Sequence, residues 1–272
     1  MTAPPDDLAT YVRPTGRFGR EVRFLAETGS TNDIALEAAR AGAAEGLVVL
    51  ADRQTAGRGR LQRRWQAPAG SSLLLSVLFR PPDPFARFAG RITMGCGLSL
   101  VTAVQQVTGV PVILKWPNDL IHEGRADSGG WRKLAGMLSE VAISDAGKPE
   151  ALIVGIGLNA NLGAGELATL APNAGSLSSL AGTCVSRVAL LDAFLAALDG
   201  QYAALLNGED PASAWSAHIA WLGQSVVVSV GDEVVRGEAI GVDGEGALLV
   251  LDSAGEQRRF LAGDVSLRPD VR

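Results

Sequence analysis

The feature that most constrains this chain is a change of periodicity at Gly223. Before it, apolar runs of strand length mix with longer stretches at helical 3–4 spacing. After it, only short apolar runs remain, at 226–230, 234–235, 247–251 and 260–261. The turn signals Gly231-Asp232 and Asp243-Gly244-Glu245-Gly246 separate them. Such a tail is too turn-rich for helices and reads as a small β barrel. The upstream part predicts strands at 22–26, 47–51, 72–79, 112–116, 134–143 and 151–158, the last two joined by a turn at 144–148. Helices are predicted after Ser30, over 92–107, over 187–206 with an amphipathic pattern, and around Trp215 and Trp221. Strands and helices do not alternate strictly, so the class is α+β with a mixed sheet rather than a doubly wound one. The expected division is a tail at 1–20, a main domain at 21–222 and a barrel at 223–272.

Charge narrows the function classes. The net charge is −5, which argues against a nucleic-acid binder working by counterion release. Yet 21 of the 24 basic residues are Arg and only three are Lys (Lys115, Lys133, Lys148), and five of the Arg crowd between Arg53 and Arg64. The first twenty residues hold no apolar stretch, and the longest apolar run, 73–79, falls far short of a bilayer. No membrane partner and a cytoplasmic location are expected. Cys96 and Cys184 lack paired spacing and read as free thiols. His122 and His218 stand alone, so no metal ligand set is assigned.

The Arg cluster belongs to the segment Gln54 to Trp65, QTAGRGRLQRRW, between two buried strands. Gly57 and Gly59 let backbone N–H groups approach a ligand. Arg58 and Arg60 alternate with them, so guanidinium forks and main-chain donors can converge on one anion. Trp65 adds a flat face for a ring. The competing reading is a flexible basic surface loop of the kind that faces nucleic acid. No Walker sequence occurs. Gly155-Ile156-Gly157-Leu158-Asn159-Ala160 imitates a dinucleotide fingerprint, but Asn159, Asn161 and Gly163 break the helix that should follow, and no ribose-binding acid lies downstream.

Three further elements carry polar groups. Ser30-Thr31-Asn32-Asp33 has capping-box spacing and can equally present hydroxyl and amide groups to a ligand. Lys115-Trp116-Pro117-Asn118-Asp119 places Asn and Asp at a strand exit, where they hold a base or a metal-bound phosphate, or make an Asx turn. Lys133 opens the run Lys133-Leu134-Ala135-Gly136 at a strand start. The segment 122–131 reads as a mobile surface loop. Clustered cations without an acyl-transfer nucleophile favour activation of a carboxylic acid by ATP, a reaction governed by charge stabilisation.

At these residues the chain resembles the biotin protein ligases. The likeness runs through Ser30-Thr31-Asn32, the Gly-Arg-Gly-Arg of 57–60, Lys115 to Asp119, Lys133 to Gly136 and Asn159. It resumes at Gly246-Ala247-Leu248-Leu249 and Gly-Asp-Val-Ser-Leu-Arg of 263–268. The resemblance implies a catalytic α+β domain similar to class II aminoacyl-tRNA synthetases followed by an SH3-like barrel. It implies synthesis of biotinyl-5′-AMP from biotin and ATP with Mg2+, then biotinylation of a lysine on the carrier domain of acetyl-CoA or another acyl-CoA carboxylase. By matching position, Ser30, Thr31, Asn32, Gln54, Arg58, Gly59, Arg60 and Lys133 would bind biotin. Gly57, Arg58, Arg60, Trp65, Asn118, Lys133 and Asn159 would serve the nucleotide, with Lys133 and Arg60 catalytic. Some relatives carry an N-terminal helix-turn-helix; the residues before the first strand are too few for one, so no DNA partner is expected. A lipoate- or octanoate-handling enzyme on the same scaffold and a non-catalytic nucleotide or nucleic-acid binding module are the rival readings.

Overall fold

The computed structural model describes residues 8–124, 130–230, 233–261 and 265–269. A seven-stranded sheet forms the main unit. Its strands are β1 (Val22–Thr28), β2 (Val48–Gln54), β3 (Ser72–Phe79), β4 (Ile113–Lys115), β5 (Asp119–Glu123), β6 (Trp131–Ile143) and β7 (Pro149–Asn159). They lie in the order β1-β2-β3-β7-β6-β5-β4, with β1 and β2 parallel and the other pairs antiparallel. The β3 sequence SLLLSVLF is buried at every position because both sheet faces are covered there.

Helix α1 (Thr31–Arg40) covers one face. Its buried Ala35, Ala38 and Ala39 allow close approach to Val49, Leu78 and Ile153. The other face carries α2 (Ala86–Thr108) and, in the chain order α3 (Ala164–Thr169), α4 (Leu177–Ala181), α5 (Arg187–Leu206), α6 (Ala212–Ala217), the long helix α5. Helix α5 is long and apolar enough to cross a bilayer. Its Leu190, Leu191, Phe194, Leu195, Leu198 and Tyr202 are instead buried in the core at 3–4 spacing.

Past residue 223, β8 (Ser225–Val230), β9 (Glu233–Val242), β10 (Leu248–Asp252), β11 (Gln257–Phe260) and β12 (Val265–Pro269) form an antiparallel sheet in the order β11-β10-β9-β8-β12. The α+β class with a small SH3-like barrel is therefore observed. One turn of the barrel docks on the main unit: Asp243 accepts from the Glu245 and Ala247 amides, Trp116 Nε1 donates to the Gly246 carbonyl and Arg91 Nε donates to that of Gly244; beside it the Val242 amide donates to Ser216 Oγ of α6.

Several expectations need correction. Ser30 is the N-cap residue of α1 but makes no side-chain capping bond, and Asp33 pairs with Arg58 rather than closing a box. Trp221 lies beyond α6, in a left-handed conformation with φ 63°. Residues 8–20, read as a tail, dock on the core: Leu8 and Phe18 are buried and Arg13 reaches Asp199 at 2.8 Å. His122 and Glu123 belong to β5 and Trp131 to β6, so the loop expected at 122–131 is shorter. Residues 125–129 of that loop, the Gly231-Asp232 turn and Gly263-Asp264 lie outside the described residues.

Candidate functional site

Helix α1 leaves part of its sheet face bare. Ser76 on β3, Gly155 on β7 and Leu138 on β6 share one register row, and Leu74, Gly157 and Gly136 share a second. Side chains in paired rows point to one face, so the glycines make a floor without side chains. A Cβ at Gly155 would stand 2.2 Å from Asn32 Oδ1, and one at Gly157 only 2.4 Å from the Trp65 ring. These are the glycines that imitate a dinucleotide fingerprint; their purpose is room for Asn32 and Trp65. Over the floor lies a cleft of about 490 Å³.

Eleven of the twelve residues singled out in the sequence line this cleft: Ser30, Thr31, Asn32, Gln54, Arg58, Gly59, Arg60, Trp65, Asn118, Lys133 and Asn159. Gly57 does not. It lies under the loop, where its carbonyl accepts from the Trp65 amide and a Cβ would meet the Trp65 carbonyl oxygen at 2.5 Å. The loop itself is a small hairpin: Arg58 bridges Arg64, the Gly59 amide donates to Arg63 O, and the Arg63 amide donates to Arg60 O. Leu61 and Gln62 turn its tip with φ of 57° and 58°.

One end of the cleft is neutral and closely bonded. Ser76 Oγ, fully buried, lies 2.6 Å from Asn32 Oδ1 and 2.7 Å from Thr31 Oγ1. The amide oxygen only accepts, so Ser76 donates to Asn32, and the Thr31 hydroxyl donates to Gln54 Oε1 at 3.2 Å. Gln54 Oε1 then accepts the Thr31 backbone N–H at 2.8 Å, which fixes the orientation of the Gln54 amide. Asn32 Nδ2 donates to Glu140 at 2.5 Å and to Leu138 O at 3.3 Å. Asn32 lines the cleft, but its polar groups are taken by the protein. The same holds for Arg58, which donates to Asp33 at 2.6 and 2.8 Å and to Glu140 at 3.1 and 3.3 Å. These bonds, Asp33's first, hold its guanidinium even above its ordinary high pKa. Arg58 thus lines the cleft with its guanidinium held by two carboxylates of the protein.

The middle of the cleft is cationic. Lys133 Nζ stands 2.6 Å from Asp119 Oδ1, an ion pair whose angles do not make a hydrogen bond, and 5.7 Å from the Trp65 ring centre. The segment 173–175 sets its backbone: Lys133 N donates to Asn173 O, and Gly175 N donates to Lys133 O. Lys115, 9% exposed, lies 5.5 Å from the Trp131 ring centre. Burial pushes the Lys115 ammonium below its ordinary pKa; Asp119 opposes this, while Lys133, Arg60 and Arg63 reinforce it. Arg60 Nη1 donates to Asn118 Oδ1 at 3.3 Å, and Asn118 Nδ2 donates to Met137 O at 2.6 Å, so Asn118 is pinned to β6. Like charges this close are stable together only with an anion or carboxylates among them.

The far end holds unused polar atoms. Trp65 Nε1 and Asn159 Oδ1 are buried without a hydrogen-bond partner, although Asn159 Nδ2 donates to Gly175 O at 2.9 Å. A donor beside a flat ring and an acceptor beyond it suit a base and a ribose hydroxyl. Sequence reasoning gave Asp119 a base, a metal-bound phosphate or an Asx turn rather than an ion pair with Lys133, and passed over Lys115, Ser76, Glu140 and Trp131. Two signals pointed there: Lys115 is one of three lysines, and Ser76 interrupts an otherwise apolar strand.

Residues 25–159 match the Biotin/lipoate A/B protein ligase family, and residues 221–268 match the biotin protein ligase C terminal domain. The chain is 33% identical over 252 residues to the biotin--[acetyl-CoA-carboxylase] ligase of Mycobacterium tuberculosis, covering 90% of this chain and 88% of that protein. The namesake from Paracoccus denitrificans is 34% identical over 242 residues, covering 86% and 95%. Among solved structures, the biotin protein ligase from Aquifex aeolicus in complex with biotin and ATP superposes with a TM-score of 0.74 at 26% identity, covering 92% of this chain and all of that one.

Proposed function

Because this chain belongs to the biotin protein ligase family, we propose that its cleft activates biotin with ATP and passes it to a lysine of a biotin-dependent carboxylase. The observation that carries this reading is the division of the cleft: a neutral, hydrogen-bonded end, a cationic centre, and a flat ring with orphaned polar atoms beyond it. The bicyclic ring of biotin suits the first, its carboxylate and the α-phosphate the second, the adenosine the third. Carboxylate oxygen attacks the α-phosphorus, the α–β bridge breaks and pyrophosphate leaves. An amine of the acceptor then attacks the acyl carbon, AMP departs and the amine loses its proton.

Ser30, Thr31, Gln54 and Gly59 frame the ring pocket, with Asn32 as a strut in its wall. Lys133 stabilises the charge that develops as carboxylate and phosphate meet, and Arg60 holds the acyl phosphate. Trp65 and Asn159 receive the adenosine, and Asn118 keeps Arg60 in place. Magnesium enters with the triphosphate. Acetyl-CoA carboxylase is the target class, through a lysine on its carrier domain. Residues 21–222 form the catalytic unit, 223–272 the barrel module, and the enzyme works in the cytoplasm. Incubation with biotin, MgATP and the purified carrier domain of acetyl-CoA carboxylase should add one biotinyl group to one lysine, read by intact mass. No mass increase, or modification scattered over many lysines, contradicts the reading.

A further inference from the structure

Glu140 touches both the pocket wall and the Arg-rich loop. Its Oε2 accepts from Asn32 Nδ2 at 2.5 Å, and its carboxylate accepts from Arg58 Nη2 at 3.1 and 3.3 Å. Asn32 is held from its other side by Ser76 and stands where Gly155 leaves room. Arg58 is completed by Asp33 at the first turn of α1. A continuous chain of bonds thus runs Ser76–Asn32–Glu140–Arg58, from the buried sheet to the loop that roofs the cleft.

Resting on the biotin-activating role of the cleft, we propose that Glu140 is a positioning residue that latches the loop shut over the acyl adenylate. Exposure sets its strength. The side chains of Arg58, Asp33 and Glu140 are 38%, 46% and 29% exposed, so the pairing is solvent-screened and can open at each turnover. A buried pair would be too costly to break. The fixed Asn32 amide aims the carboxylate, so the latch engages only when the pocket wall is correctly set. Arg58 therefore serves retention through protein carboxylates.

The test measures how fast labelled biotinyl adenylate, formed on the enzyme and freed of excess substrate, leaves the protein. Glu140→Gln keeps an acceptor for Asn32 but removes the charge facing Arg58; Arg58→Ala removes the other partner. Each should speed release about three- to tenfold, and the double variant should be no faster than the faster single. KM for biotin should rise by a larger factor than kcat falls, a split that a folding defect does not produce. Wild-type release in a folded Glu140→Gln protein, or factors that multiply in the double variant, overturns the latch. Should Glu140→Gln fail to fold, Asp33→Asn weakens the clamp at an exposed site and must also speed release; an unchanged rate there overturns it too. A wild-type enzyme that retains no biotinyl adenylate overturns the functional reading itself. Retention in the wild type with unchanged variants sinks the latch alone.

Discussion

The two ends of the cleft are built on opposite principles. At the ring end, Thr31, Asn32, Ser76 and Gln54 satisfy one another, and a ligand meets a shape already set. At the nucleotide end, Lys133 pairs with Asp119, Lys115 feels the charges of Asp119, Lys133 and Arg60, and Trp65 and Asn159 keep buried polar atoms without partners. The ring end selects by a preformed surface. The charged end is unfavourable until an anion arrives, so ligand binding relieves it. The contrast separates specificity from chemistry, and substitutions at the two ends should part in the same way.

The largest effect is expected at the charged centre. Lys133→Ala should lower adenylate formation about a hundredfold to a thousandfold, the range for one charge-stabilising donor, measured as initial rate at saturating substrates. Lys115→Met should weaken ATP binding roughly tenfold in calorimetry yet raise Tm at neutral pH. The sign follows from burial: the folded pKa of Lys115 lies below the unfolded value, so the unfolded chain binds more protons between the two. The charged ammonium is thus a stability penalty, full below the folded pKa and lost as pH rises to the unfolded value, and Met removes that penalty. A lower Tm in Lys115→Met would break the comparison.

Intermediate effects should come from the floor. Gly157→Ala sets a methyl 2.4 Å from the Trp65 ring and must displace it. KM for ATP should climb about fivefold while KM for biotin moves less than twofold, on the scale of ~1 kcal/mol for a displaced aromatic contact. The smallest effect on rate belongs to Ser76→Ala. The loss leaves Asn32 Oδ1 buried without a donor, costing about 1–3 kcal/mol of stability in denaturant melts. KM for biotin should rise a few-fold and KM for ATP stay level; equal rises in both would show that the ends are not independent.

Much of this arrangement is legible in the sequence, for physical reasons. Strand β3 declares itself because a strand buried on both faces must be apolar throughout. The barrel declares itself because tight hairpins need Gly and Asp at their turns. The cleft residues are readable because they cluster in short segments at strand ends. What escapes is whatever depends on register. Gly155 and Gly157 look like a phosphate loop until β3, β6 and β7 are aligned and the rows facing Asn32 and Trp65 appear. Arg58 and Arg60 are alike in the sequence and both line the cleft, yet one is held by Asp33 and Glu140 and the other bonds Asn118, all from distant elements. Ser30 and Asp33 have capping-box spacing, but Asp33 pairs with Arg58.

The most direct test of the central claim is pyrophosphate–ATP exchange, with biotin, with lipoate and with no acid. A ring end fixed for biotin and a centre that needs a carboxylate predict exchange that appears with biotin, saturates, and stays at background in the other two reactions. Exchange without any acid, equal exchange with lipoate, or none with biotin would contradict the account.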